Sequence, residues 1–197
     1  MTMVAETTLV LASSSPRRKQ LLQEAGIAFE AVSPPVAEPV DACERLSPAR
    51  LAEALAYFKA RSVAEDRPDA LILGADTVVS VSGELLGKPA DADDARRMLG
   101  MLSGTRQSVI TGVALLGAER RCIASETTYV TMREISDHEL EQYLTSGEWR
   151  GKAGAYAIQE TADRFVTSVE GSFSNVVGLP VELVSRLLRL GRTKGRP

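Results

Sequence analysis

The chain has 197 residues, 44% of them apolar and 25% charged, and a formal net charge of −3 at pH 7. That length suits one globular domain with a substantial core, and that composition excludes a disordered or membrane-embedded chain. The mildly acidic balance argues against a protein that coats nucleic acid, and without a run of about 18 apolar residues or a secretory signal the expected location is cytoplasmic.

The apolar run Leu9-Val10-Leu11-Ala12 predicts a first strand, and Ser13-Ser14-Ser15-Pro16-Arg17-Arg18 behind it reads as a phosphate-binding helix start. Ser15 is a good N-cap, and Pro16 suits the first helical position, where a missing N–H costs nothing. The helix carries Leu21, Leu22 and Ala25 on a buried side and stops at Gly26. Its free N–H groups, its dipole and two guanidinium groups then point at one place suited to an anion. The bland alternative is an ordinary capped helix with solvated arginines. Ile27–Val32 predicts a short strand, followed by a proline- and acid-containing loop from Ser33 to Leu46. Ser47-Pro48 repeats the N-cap and proline signature and opens a helix to about Glu65, with Leu51, Leu55 and Phe58 at helical spacing.

Ala70–Ala75 is a continuous apolar run ending in Gly74-Ala75-Asp76, the pattern of a buried strand whose end delivers a carboxylate to a ligand site. A carboxylate there can bind a divalent cation or take a proton from water, although a strand-end aspartate also serves as a simple turn former. Thr77–Val81, Ser82-Gly83 and Glu84–Leu86 predict a hairpin. Gly87-Lys88-Pro89 sets a lysine in a tight loop where its ammonium can meet phosphate oxygens. It is not a P-loop, because the spacing from Gly83 to Gly87 is too short and Pro89 stands where Ser or Thr holds magnesium.

Asp91–Leu102 predicts a helix, and Val109–Leu116 and Ile123–Met132 predict two longer strands. Ser136-Asp137-His138-Glu139 is a capping-box pattern opening a helix to about Thr145, ended by Gly147. His138 is the only histidine, and Cys43 and Cys122 lack C-x-x-C spacing, so neither a histidine-rich metal site, a thiolate zinc site nor a disulfide framework is indicated. Chemistry has to run on carboxylates, lysines, arginines and oxygen-bound metal ions. Beyond Gly151 the chain is punctuated by glycines that frame Tyr156–Gln159, Arg164–Val169 and Ser172–Val177. Lys152 and Gln159 stand at the two ends of a small-residue stretch that lets backbone approach a ligand closely. Gln159 reads as a polar residue just after a strand, and its amide matches the alternating donor and acceptor edge of uracil or thymine. Pro180 opens a last amphipathic helix to about Leu190, and residues 192–197 form a basic tail expected to be disordered. Alternating strands and helices predict an α/β class with a mixed sheet in one domain over residues 1–191.

The motifs S-x-S-P-R-R, G-A-D-T-V-V, G-K-P, L-S-G, K-A-G-A-Y-x-I-Q and S-N-V-V-G-L-P follow one another from Leu9 to about Leu188. In that order they resemble the Maf family of nucleoside triphosphate pyrophosphatases. The resemblance implies an inosine triphosphatase-like fold, with a mixed twisted sheet flanked by helices and two lobes around a cleft. It implies hydrolysis of nucleoside triphosphates to the monophosphate and pyrophosphate with magnesium or manganese as cofactor. The implied role is nucleotide-pool house-cleaning with a link to septum formation and cell-division arrest, with no nucleic-acid polymer or membrane as partner. A homodimer is compatible with the apolar strands.

Residue by residue, the resemblance assigns the catalytic acid or proton acceptor to Asp76 and phosphate binding to Ser13, Arg17, Arg18 and Lys88. Lys59 is similar to a helical lysine that faces the cleft, Lys152 is a further substrate-binding lysine, and Glu38 takes the place of an acidic loop residue that shares the metal with Asp76. Three positions separate two branches. The pyrimidine branch has Arg after S-x-S-P, Thr after G-A-D and Gln after K-A-G-x-Y-x-I; the 7-methylguanosine branch has an aromatic residue, Gln and Glu. Arg17, Thr77 and Gln159 favour dTTP and UTP. Gly151 replaces the acidic residue usual before K-A-G, and Ala157 and Glu160 stand where glycines are common, which leaves open what holds Lys152. Two rival readings are a non-catalytic nucleotide sensor that regulates septum formation and a pyrophosphatase for modified purine or 7-methylguanosine triphosphates.

Overall fold

The computed structural model describes residues 8–35 and 46–190. Seven strands form one mixed sheet in the order β2 (Glu30–Val32), β1 (Leu9–Ala12), β3 (Leu71–Val81), β5 (Arg106–Gly117), β6 (Arg120–Met132) and β7 (Val166–Glu170), with β4 (Glu84–Leu86) paired to β3 outside that path. β1 runs parallel to β2 and β3, from Leu9 opposite Leu71 to Ala12 opposite Gly74. β4 folds back on β3 through Ser82-Gly83, both at positive φ, which is what a two-residue hairpin turn requires. The helices are α1 (Pro16–Glu24), α2 (Pro48–Ala64), α3 (Ala92–Leu102), α4 (Asp137–Ser146), α5 (Phe173–Val177) and α6 (Val181–Leu190). None of the helices among the described residues is long and apolar enough to cross a membrane.

The chain divides into two compact units. The first draws its described residues from Met1–Asp76, Gly112–Ser125 and Val181–Pro197, the second from Thr77–Thr111 and Glu126–Pro180. In the first, Val10, Ala12, Ile72 and Ala114 of the strands pack on Ala56, Ala60 and Val63 of α2. The helix lies unusually close to the sheet because both surfaces are small. A Cβ on Gly74 would collide with the Ala56 carbonyl and with Ala60, and one on Gly112 with the Ala52 backbone. In the second unit α3 packs against α4 and against the 3-10 turn Ala153–Ala155. Tyr143 and Phe165 meet edge to face with ring centroids 5.9 Å apart.

Several sequence expectations change. β3 runs unbroken through Asp76 instead of ending at Ala75, so the apolar run and Thr77–Val81 form one strand, paired to β1, β4 and β5. The strand expected over Ile27–Val32 is only Glu30–Val32. Tyr156–Gln159 is irregular and turn structure, not a strand, following the left-handed Gly154 and Ala155 at φ 70° and 62°. Ser172–Val177 is the short helix α5 with Ser172 as its cap. Glu38, Cys43 and the 192–197 tail lie outside the described residues.

Candidate functional site

In the first unit β1 stops at Ala12 while β3 continues, so Asp76 emerges beyond the last residue that β1 can pair. In an open α/β sheet the carboxyl ends of parallel strands are where ligands bind. Asp76 is 7% exposed and shares its strand face with Ile72 and Gly74, the face covered by α2. Its Oδ1 receives the Nζ of Lys59 in an ion pair. Lys59 reaches it because Ala56 and Ala60, which flank it on the helix, seat α2 against the sheet. At the same end of β1, the buried Ser13 Oγ accepts from the Ser15 N–H at 3.2 Å and from Arg18 Nη1 at 3.4 Å. Ser15 caps α1 by accepting from the Arg18 N–H, and Pro16 takes the first helical turn. Arg17 stands half-buried on that turn. Ser13, Arg17, Arg18, Lys59 and Asp76 thus lie just beyond the carboxyl end of β1, where its parallel pairing with β3 stops.

In the second unit Thr77 Oγ1 lies 2.9 Å from Thr111 Oγ1 and 3.5 Å from the Gly178 carbonyl. Thr111 and Asn175 are fully buried; the Thr111 hydroxyl donates to the Asn175 carbonyl at 3.2 Å. Asn175 Nδ2 in turn donates to the Val109 carbonyl and to Thr128 Oγ1, each at 3.0 Å. Lys88 is exposed on the loop after β4. That loop is joined to the Lys152–Gln159 stretch by the Gly154 N–H, which donates to the Gly87 carbonyl at 3.0 Å. Gly154 fits because its φ of 70° is left-handed and a Cβ would press on Val79.

Lys152 is only 8% exposed, and its ammonium pairs with Glu160. What holds Lys152 is therefore a carboxylate from the far end of the same stretch. Thr161 continues the closure, with its N–H and hydroxyl donating to Glu148 Oε2 at 3.2 and 2.6 Å. Between these ends Tyr156 is buried, which pushes its hydroxyl up to about 12 and keeps it a neutral phenol. Gln159 is exposed on the turn immediately before Glu160.

Three participants escape the sequence reading. Nothing local in the sequence ties Glu160 to a lysine eight residues earlier. Thr111 and Asn175 carry a weak signal, since a polar residue inside an apolar run such as Val109-Ile110-Thr111 has to find a buried partner. Among the described residues no group of three His, Cys, Asp or Glu gathers to hold a metal ion. Asp76 nevertheless fits a magnesium-type ion, which takes one or two carboxylates, retains water and binds phosphate oxygens rather than requiring an all-protein cage.

The family model described as Maf-like protein matches residues 8–190. Several relatives bear the name dTTP/UTP pyrophosphatase. One from Symbiobacterium thermophilum is 47% identical over 180 residues, covering 91% of this chain and 92% of the relative. One from Koribacter versatilis is 46% identical over 181 residues, covering 92% and 93%. One from Bacillus cereus is 42% identical over 181 residues, covering 92% and 94%.

Proposed function

The chain belongs to the Maf-like protein family, and on that premise we propose that it hydrolyses dTTP and UTP to the nucleoside monophosphate and pyrophosphate. The observation that carries this reading is the buried Asp76 carboxylate, held by Lys59 just past the point where β3 stops pairing with β1, the strand that leads into the capped, arginine-bearing start of α1. The names of the relatives supply the substrates.

In the proposed reaction a water oxygen bonds to the α-phosphorus, the bridging P–O bond to the β-phosphate breaks, and pyrophosphate leaves with the bonding electrons. Lys59 occupies Asp76 Oδ1 and orients the carboxylate, which leaves Oδ2 for one of two roles, taking the proton of the attacking water or holding the metal ion. Arg17, Arg18 and Lys88 neutralise the triphosphate, and the N–H groups at the start of α1 add fixed donors for charge developing on the leaving group. Ser13 holds the Arg18 guanidinium in place. Asp76 and Glu38 are the carboxylates that would hold magnesium or manganese, which when bound supplies charge neutralisation on the phosphate oxygens. Gln159 offers its amide to the base edge, with Thr77 and Arg17 completing the choice of pyrimidine. Lys152 contributes by anchoring, through Glu160, the stretch that carries Gln159.

A panel of nucleoside triphosphates, assayed for pyrophosphate release with and without divalent metal, tests the reading. UTP and dTTP are expected to lead, and chelation to abolish turnover. A preference for ITP or 7-methyl-GTP would favour the purine alternative, and binding without pyrophosphate release would favour a sensor.

A further inference from the structure

Gln107, near the start of β5, is only 1% exposed and takes no part in the proposed reaction. An amide in such a place is costly unless its two donor hydrogens and its oxygen are met. With its nitrogen toward the backbone, Gln107 donates to the Val130 carbonyl at 2.9 Å and to the Thr105 carbonyl at 3.2 Å; the opposite orientation would press its oxygen against two carbonyl oxygens. The amide is then pinned to β6 and to the residue before β5, and its other end lies 3.5 Å from the Tyr156 hydroxyl. Tyr156 is itself buried and neutral, so it has a proton to give, and among the described residues Gln107 is the only hydrogen-bond partner of its hydroxyl. The Gln107 oxygen accepts that proton. A bond of this length is weak, so its effect is modest, but it is directional. Tyr156 stands in the middle of the Lys152–Gln159 stretch, which has no strand or α-helix ladder to fix it. Lys152 and Glu160 tie the ends of the stretch, the Gly154 N–H ties it to Gly87, and Gln107 ties its middle.

We propose that Gln107 is a positioning residue for nucleotide binding: through the Tyr156 hydroxyl it holds the Lys152–Gln159 stretch in the conformation that receives the nucleotide. The proposal rests on the reading above that this stretch meets the nucleotide. Its consequence falls on binding and not on the chemical step, because both side chains are buried and act only by shaping the stretch.

The experiment measures KM and kcat for UTP, with melting temperatures alongside, in the wild type, Tyr156→Phe, Gln107→Leu, the double variant and Gln159→Ala. Exchange of the Gln107 side-chain amide protons is followed by NMR in the wild type. Tyr156→Phe removes one oxygen and keeps the ring in place. Its KM is expected to rise about 3- to 10-fold, the scale of one hydrogen bond, with kcat within about 2-fold of the wild type. Gln107→Leu raises KM at least as much, and the double variant rises no further than Gln107→Leu, because both substitutions remove the same contact. The Gln107 amide protons exchange slowly. An unchanged KM in a folded Tyr156→Phe, or a fall in kcat in place of a rise in KM, overturns the proposal. A double variant whose KM rises by the product of the two single effects overturns it as well, and so does rapid exchange of the Gln107 protons. If Gln107→Leu fails to fold, Tyr156→Phe and the exchange rate decide. An unchanged KM in Gln159→Ala overturns the separate reading that the stretch meets the nucleotide, whatever the Gln107 variants show.

Discussion

At the residue scale, Asp76 is the group on which the chemistry is proposed to turn, and its largely buried ion pair with Lys59 ties that chemistry to the fold. Asp76→Asn keeps the shape and removes the charge that Lys59 meets, so turnover is expected to fall at least about 100-fold. The variant also takes the Asp76 charge away from the Lys59 ammonium, so its melting temperature should fall as well, and near-normal activity in the folded variant would remove Asp76 from the mechanism. Glu160 makes a different kind of contribution, since its carboxylate pairs with the buried ammonium of Lys152. Glu160→Gln leaves the buried ammonium without its ionic partner and loosens the turn that bears Gln159. KM for UTP should rise several-fold with kcat changed less, and the opposite split would place Glu160 in the chemical step. Gln159→Glu replaces an amide donor with a carboxylate, which repels a base carbonyl and attracts the cationic ring of 7-methylguanine. Selectivity for UTP over 7-methyl-GTP should therefore fall in that variant, measured as the ratio of kcat/KM values.

At the element scale, α2 is placed by the absence of side chains on Gly74 and Gly112. Gly74→Ala pushes a methyl into the Ala56 carbonyl, at a cost of about 1–3 kcal/mol, and moves Lys59 away from Asp76. Melting temperature and kcat should fall together, whereas a stable variant with normal turnover would show that the close seat of α2 is dispensable. The start of α4 gives a pH-dependent counterpart. Arg133 and the Ser136 hydroxyl and N–H hold the Glu139 carboxyl down to about 2, from an ordinary 4.5. Because the folded value is depressed, the stabilisation is complete above about 4.5 and disappears as pH falls through 2. The melting-temperature gap between wild type and Glu139→Gln should close across that window. The helix starts at Ser15, Ser47 and Ser136 were legible in the sequence because caps are local, and each caps the helix that follows. The continuation of β3 through Asp76 was not, because Gly74-Ala75-Asp76 has the local look of a strand exit and pairing between strands decides otherwise. The turn over Tyr156–Gln159 was missed for the same reason, since the 3-10 turn before it packs on α3, far away in sequence. Motif order pointed to Asp76, Lys59 and the arginines of α1. Thr111 and Glu160 needed coordinates, because their partners are defined by folding.

At the scale of the whole molecule, one family match over residues 8–190 and relatives at 42–47% identity accompany a seven-stranded mixed sheet whose parallel strands carry Asp76 and the start of α1. The charge pattern suits a small polyanion: the net charge is −3, yet arginines and lysines recur at the loop and helix starts assigned to phosphate. Removing divalent metal with a chelator should abolish hydrolysis, and adding back magnesium or manganese should restore it, with metal-independent turnover counting against the roles given to Asp76 and Glu38. The central claim is attack by water at the α-phosphorus of UTP, and hydrolysis in oxygen-18 water reads it directly. The account predicts UMP and pyrophosphate in equal amounts, with the label in UMP and none in pyrophosphate; label in pyrophosphate, or release of UDP and orthophosphate, would contradict it.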